Sequence, residues 1–177
     1  WIAYSHDGNP SIAQEILIKT YSYKPDPQIK LMLAEMAEYE KNYELAELIL
    51  QDYYDIISQA KYGFMYSKYL ILIDAEKDSE KAVARSLIEI NRRASPEIYD
   101  LLAWSYFKND ELKKALKIAE EHVLGKTFEP EVLYHLGLIY KEAGENSKSQ
   151  ELLEEALESE FELGPMMSLE IKKALKN

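Results

Sequence analysis

Apolar residues recur along this chain at helical spacing, and polar turns interrupt them at near-regular intervals. Leu133, Leu136, Gly137 and Tyr140 follow the i, i+3, i+4, i+7 order of one helix face. Leu45, Leu48, Ile49 and Tyr53 come close to the same order. The breaks carry turn chemistry: Asp7-Gly8-Asn9-Pro10, Lys24-Pro25-Asp26-Pro27, Asn109-Asp110 and Ala143-Gly144-Glu145-Asn146. No stretch alternates with a period of two over β-branched residues. The pattern predicts an all-α chain with no sheet.

The helical segments repeat. Pro96 and Pro130 are 34 residues apart, and the stretches PEIYDLLAWSYFKND and PEVLYHLGLIYKEAG that follow them are two versions of one pattern. A fixed period of this length marks stacked units, none of which can bury its apolar face alone. From Ala103, Tyr106 lies three residues on and Ala115 twelve on. The same ruler takes Gly137 to Tyr140 and Ser149, Ala34 to Ala37 and Ala46, Leu70 to Ile73 and Ala82, and Trp1 to Tyr4 and Ala13. Each frame reads as a helix, a short polar turn and a second helix with an early small residue that permits close packing.

These residues resemble the tetratricopeptide repeat (TPR) family, and more narrowly bacterial members without assigned function. The match is Tyr99, Leu102, Ala103, Tyr106 and Ala115 in one frame, and Leu133, Leu136, Gly137 and Tyr140 in the next, with Ser149 in place of Ala. The resemblance implies an α-solenoid, a right-handed superhelix of about eleven helices. Its divisions are a partial repeat over 1–26, repeats over 27–62, 96–129 and 130–163, a degenerate repeat over 63–95, and a capping helix over 164–177 with a polar outer face. In the degenerate repeat Leu70 holds the small-residue position, and Pro27 and Pro96 are 69 residues apart, one more than two periods.

Composition narrows the function. The 177 residues are 47% apolar and 30% charged, in the range of a globular domain. There is no cysteine, so disulfides and thiolate metal sites are excluded. The net charge of −11 disfavours nucleic acid and anionic membrane surfaces as partners. The chain starts at Trp1 without a leader pattern, so more sequence is expected before it and the compartment is not legible.

No catalytic constellation stands out. His6, His122 and His135 have no metal-ligand spacing, and no phosphate loop or nucleophile elbow occurs. His122 and His135 read as packed histidines. Glu151, Glu154, Glu155 and Glu158 share one solvated helix stripe. The chain is therefore expected to be no enzyme and to need no cofactor or metal.

In the family the first helix of each pair lines a concave groove. The resemblance places Glu35, Tyr39, Asp100, Trp104, Phe107 and Tyr134 there, with Glu38, Asp74, Lys108, Lys141 and Glu142 near them. An acidic groove with aromatic anchors fits a basic, apolar peptide or protein partner. It lacks the basic side chains that a carboxylate clamp uses. The expected function is thus a protein-interaction module, a segment of a longer protein. The alternatives are a structural or self-associating spacer, and a regulatory appendage of an enzyme elsewhere.

Overall fold

The computed structural model describes residues 8–176, all of whose regular structure is helical. There are ten α-helices among the described residues: α1 (Pro10–Tyr23), α2 (Pro27–Tyr39), α3 (Tyr43–Ile57), α4 (Ser67–Lys77), α5 (Ser79–Arg92), α6 (Pro96–Lys108), α7 (Leu112–Ile118), α8 (Pro130–Glu142), α9 (Asn146–Glu158) and α10 (Glu160–Ala174). The expected helical stub at Trp1 to His6 lies outside the described residues. A short 3-10 turn, Ala60–Tyr62, precedes α4, and α7 widens into a π turn over Ala119–Val123.

Local chemistry starts and stops these helices. Asp26 accepts from the Gln28 N–H at 2.9 Å, with Pro27 at the first helical position of α2. Ser95 caps α6 in the same way through Ile98, and Pro96 follows it. Asn42 and Asp78 cap α3 and α5.

Three hairpins close with one turn geometry. Lys41, Asp110 and Gly144 have φ of 63, 57 and 81°. The next residue in each case, Asn42, Glu111 or Glu145, donates its N–H to the carbonyl five residues back at 2.8 to 2.9 Å. This is the Schellman arrangement, which satisfies carbonyls left open at a helix end. Each left-handed residue lies seven positions after the small residue of its frame. In the α4–α5 hairpin that position is Lys77, which stays helical, and Asp78 alone makes the turn. The degenerate frame thus has a different turn as well as a different packing residue.

Helices adjacent in sequence pack as pairs, α2 on α3, α4 on α5, α6 on α7 and α8 on α9, and α6 packs in turn on α4 and α8. The small residues sit where pair members touch: Ala82, Ala103 and Ala115 are fully buried. A Cβ on Gly137 would lie 2.5 Å from Leu153 Cδ2, so only glycine lets α8 approach α9 this closely.

The largest core cluster joins α4 to α10 through Ile71, Leu101, Leu136, Ile139, Leu153 and Ile171, among others. A smaller seam between α3 and α4 is built from Tyr53, Ile57, Tyr66, Leu70 and Ile73. Its rings meet edge-on, with Tyr53–Tyr69 centroids 6.3 Å apart and Tyr62–Tyr66 5.2 Å apart. Much of the tyrosine excess in the chain is therefore packing between units.

The C-terminal segment departs from a simple cap. It does pack on α8 and α9, as an end cap would. But α10 is broken at Gly164, with φ 76° and ψ 169°, and Pro165 opens its second part. That part runs on to α2, far away in sequence. Its polar face, with Lys172, Lys173 and Lys176, is exposed as expected, while its first residues meet α2 of the first complete helix pair.

Candidate functional site

The second part of α10, residues 165–174, lies between α2 and α8. At its start the Met166 N–H donates to Glu35 Oε1 at 3.2 Å. A Cβ on Gly164 would stand 2.5 Å from the same oxygen, so a side chain there would push the Glu35 carboxyl aside, and the positive φ independently favours glycine. Further along, Tyr134 Oη donates to Glu170, and Lys141 Nζ donates to the Ala174 carbonyl. Ile171 is fully buried and Met167 packs against the main core.

The electrostatics of this seat are unusual. Glu35 is half-buried beneath α10. Burial pushes its carboxyl up to about 7, Glu38 adds to the rise, and the Met166 N–H opposes it. Glu38 is also raised, by partial burial and then by the negative charges of Glu170 and Glu76. The Tyr134 phenol is pushed well above its ordinary range by burial and by its bond to Glu170. Lys108 offsets part of this acidity through an ion pair with Glu76 at 2.7 Å.

The expected site residues divide into three groups. Glu35 and Tyr134 face α10, and Tyr39 stands one helical turn beyond Glu35 on α2, half-buried. Trp104 is 5% exposed, stacked on His135 at 4.2 Å and tilted against Phe107 at 5.2 Å and Tyr134 at 5.9 Å. It supports the surface from below, and half-buried Phe107 is the ring nearer solvent. Asp100 is in the core, where its Oδ2 lies 2.8 Å from His135 Nδ1 and its Oδ1 has no partner. Burial raises the Asp100 carboxyl, and the nearby His135 works against that rise.

Asp74 is buried too, held by Arg85 at 2.5 Å, and by Lys81 and Tyr54 at 3.0 Å. It ties α3, α4 and α5 together and is not open to a ligand. His122 stacks on Tyr99 at 4.0 Å. The residues that completed the site and escaped sequence reasoning are Gly164, Met166 and Glu170. The Gly164-Pro165 break ahead of an apolar stripe was the available signal, but it marks a bend and not its destination.

A cavity of about 460 Å³ opens beside Asp100, lined by Lys68, Arg93, Glu97, Glu129 and Glu131. Glu97 and Glu131 lie in the first turns of α6 and α8, where carboxylates complement the positive helix ends. The acidity there has a structural cause. Comparison with family models, curated proteins and solved structures gave no match. Among the described residues no cluster of histidines and carboxylates has the arrangement of a metal site, and no helix is long and apolar enough to cross a membrane.

Proposed function

We propose that the chain is a tetratricopeptide-like solenoid whose α2, α4, α6 and α8 line a concave face, and that it works as a non-catalytic protein-interaction module. The repeated Schellman turns at Lys41, Asp110 and Gly144 support the solenoid reading, since they recur in the register of the sequence period. The observation that carries the functional reading is the seating of residues 165–174. A polypeptide segment lies between α2 and α8 with polar bonds at both ends and buried apolar residues between them. A surface with that complementarity is suited to another polypeptide.

Acidic groups at Glu35, Glu38 and Glu76 favour a basic, apolar ligand, with charge acting mainly on the encounter rate. Phe107 and Tyr39 supply accessible rings, and Trp104 stiffens the floor beneath them. A peptide array probed with the full chain tests this reading. Basic, apolar sequences should be selected, and Phe107→Ala should weaken their binding. Selection of acidic sequences, or of none, would remove the interaction reading and favour a spacer.

A further inference from the structure

Asp100 is 2% exposed, and among the described residues it is the one buried carboxylate with an unpaired oxygen. Its Oδ2 lies 2.8 Å from His135 Nδ1, while its Oδ1 has no partner. Asp100 also lines the cavity of about 460 Å³ between the starts of α4, α6 and α8. That volume falls in the range of small-ligand sites, about 300–1,000 Å³, and is many times the share of one water, about 30 Å³. A buried acceptor is costly unless a donor reaches it.

The charges around the cavity narrow the donor. Both of its cations are committed: Lys68 pairs with Glu131, and Arg93 pairs with Glu89 at 3.1 Å. Ser95 caps α6, and Glu97 and Glu131 complement the positive ends of α6 and α8. What is left over is negative, namely Asp100 Oδ1 and the exposed Glu129, whose charge no free cation of the cavity wall answers. An anion would meet these carboxylates with no free cation to hold it. Of the groups that act on Asp100, His135 and Lys68 favour its ionised form and Glu131 opposes it. A ligand cation would add to the first two.

The geometry also selects among cations. A guanidinium binds a carboxylate best through both oxygens at once, and here Oδ2 is occupied by His135. An ammonium is a compact point charge that can bond one oxygen alone. Ile98, Leu101 and Val132, all buried, line the same cavity and would cover an alkyl chain. A bare hydrated ion has no use for such a wall.

We infer that this cavity is a site for one alkylammonium group, the chemistry of a lysine side chain, with Asp100 Oδ1 as its acceptor and Glu129 as a second negative charge. The choice of a partner's lysine as the source rests on the interaction reading above. A free amine would carry the same chemistry.

The probe is n-butylammonium, a lysine side chain without its backbone. It is titrated into the isotope-labelled full chain, and amide shifts are followed by NMR. Saturable shifts should centre on Asp100, Leu101 and Val132. The arginine counterpart, n-propylguanidinium, should bind about fivefold more weakly, and neutral n-butanol about tenfold more weakly. Asp100→Asn should weaken n-butylammonium about tenfold and Glu129→Gln about threefold. If Asp100→Asn does not fold by circular dichroism, Glu129→Lys decides in its place, since a reversed charge at an exposed position should cost at least about tenfold. Two peptides separate the sources: acetyl-Ala-Leu-Lys-Leu-Ala-amide, and the same peptide with norleucine in place of lysine. The lysine peptide should bind more tightly than n-butylammonium, and the norleucine peptide at least about tenfold more weakly than the lysine one. Binding of n-butylammonium with no difference between the peptides would support the ammonium site and assign it to a free amine.

Shifts spread over the acidic surface without saturation would overturn the inference. So would unchanged binding in the folded Asp100→Asn or Glu129→Lys chain, guanidinium binding as tight as ammonium, or inorganic phosphate taking the cavity instead. If the peptide array selects basic, apolar sequences while n-butylammonium leaves the cavity untouched, the interaction module stands and the ammonium site falls.

Discussion

The Met166 amide and the Glu35 carboxylate, 131 residues apart in sequence, share a hydrogen bond of 3.2 Å that fastens the C-terminal helix to α2. The carboxyl is pushed up to about 7 from an ordinary value of 4.5, chiefly by burial. A raised acid binds its proton more tightly in the folded state. Its stabilising effect is complete below the unfolded value and is lost as pH rises through the folded one. Docking of residues 165–174 should thus be tightest below pH 4.5 and weaken progressively as pH rises through about 7, by up to about 3 kcal/mol. Glu38 shifts in the same direction and adds to the trend. Hydrogen exchange at the Met166 amide, corrected for intrinsic rate, should show the opening, and Glu35→Gln should flatten the profile. An equally steep profile in Glu35→Gln would assign the effect to Glu38 and its neighbours.

Gly164→Ala should destabilise the chain by about 1–3 kcal/mol, combining an unfavourable positive φ with a clash. The new Cβ would meet Glu35 Oε1 at 2.5 Å. Chemical denaturation of Gly164→Ala, Glu35→Ala and the double variant separates the two causes. Removing the Glu35 carboxylate should return the clash portion and leave the backbone portion. Full additivity would show that the two residues do not meet.

Gly137→Leu should cost a few kcal/mol, and Gly137→Ala about 1–3 kcal/mol, because α8 and α9 have no space for added carbon. The obstruction is Leu153, whose Cγ and Cδ2 would lie 2.6 and 2.5 Å from the new Cβ. Leu153→Ala should therefore recover part of the loss caused by Gly137→Ala. An unchanged melting midpoint for Gly137→Ala would place the close contact elsewhere.

Asp100→Leu alone should destabilise strongly, by about 3–5 kcal/mol, since it strands a buried polar partner. Both side chains of the pair are 3% exposed. Asp100→Leu with His135→Leu should cost less than the single change, because neither polar group is then left unpaired. A thermal-denaturation cycle checks the sign of the coupling. A double variant less stable than both singles would mean the pair stabilises the fold beyond its own desolvation.

The sequence was most informative where structure is local. Pro27, Pro96 and Pro130 each open a helix, and Asp110 and Gly144 each close one, whereas the matching turn at Lys41 carried no turn signal. Small residues at Ala103 and Gly137 foretold close helix pairs. The site was only partly legible. Glu35 and Tyr134 meet the chain's own α10, and Trp104 and Asp100, expected on the surface, are 5% and 2% exposed. Helical spacing assigns a residue to a face, and both of these share their face with core neighbours. Whether the face is open depends on the helix beside it. For Asp100 that is α8, which brings His135 to 2.8 Å.

By itself, then, the sequence determined the helices, their pairing and the period of their turns. These depend on contacts within a few residues, where periodicity, caps and the absence of a Cβ act directly. Tertiary structure alone decided where α10 comes to rest. Its position relative to α2 depends on how every intervening helix packs, including the α4–α5 hairpin with its turn at Asp78 and the tyrosine seam beside it. No local pattern encodes that dependence, so the bond between Glu35 and Met166 became visible only when every angle along the chain was in place.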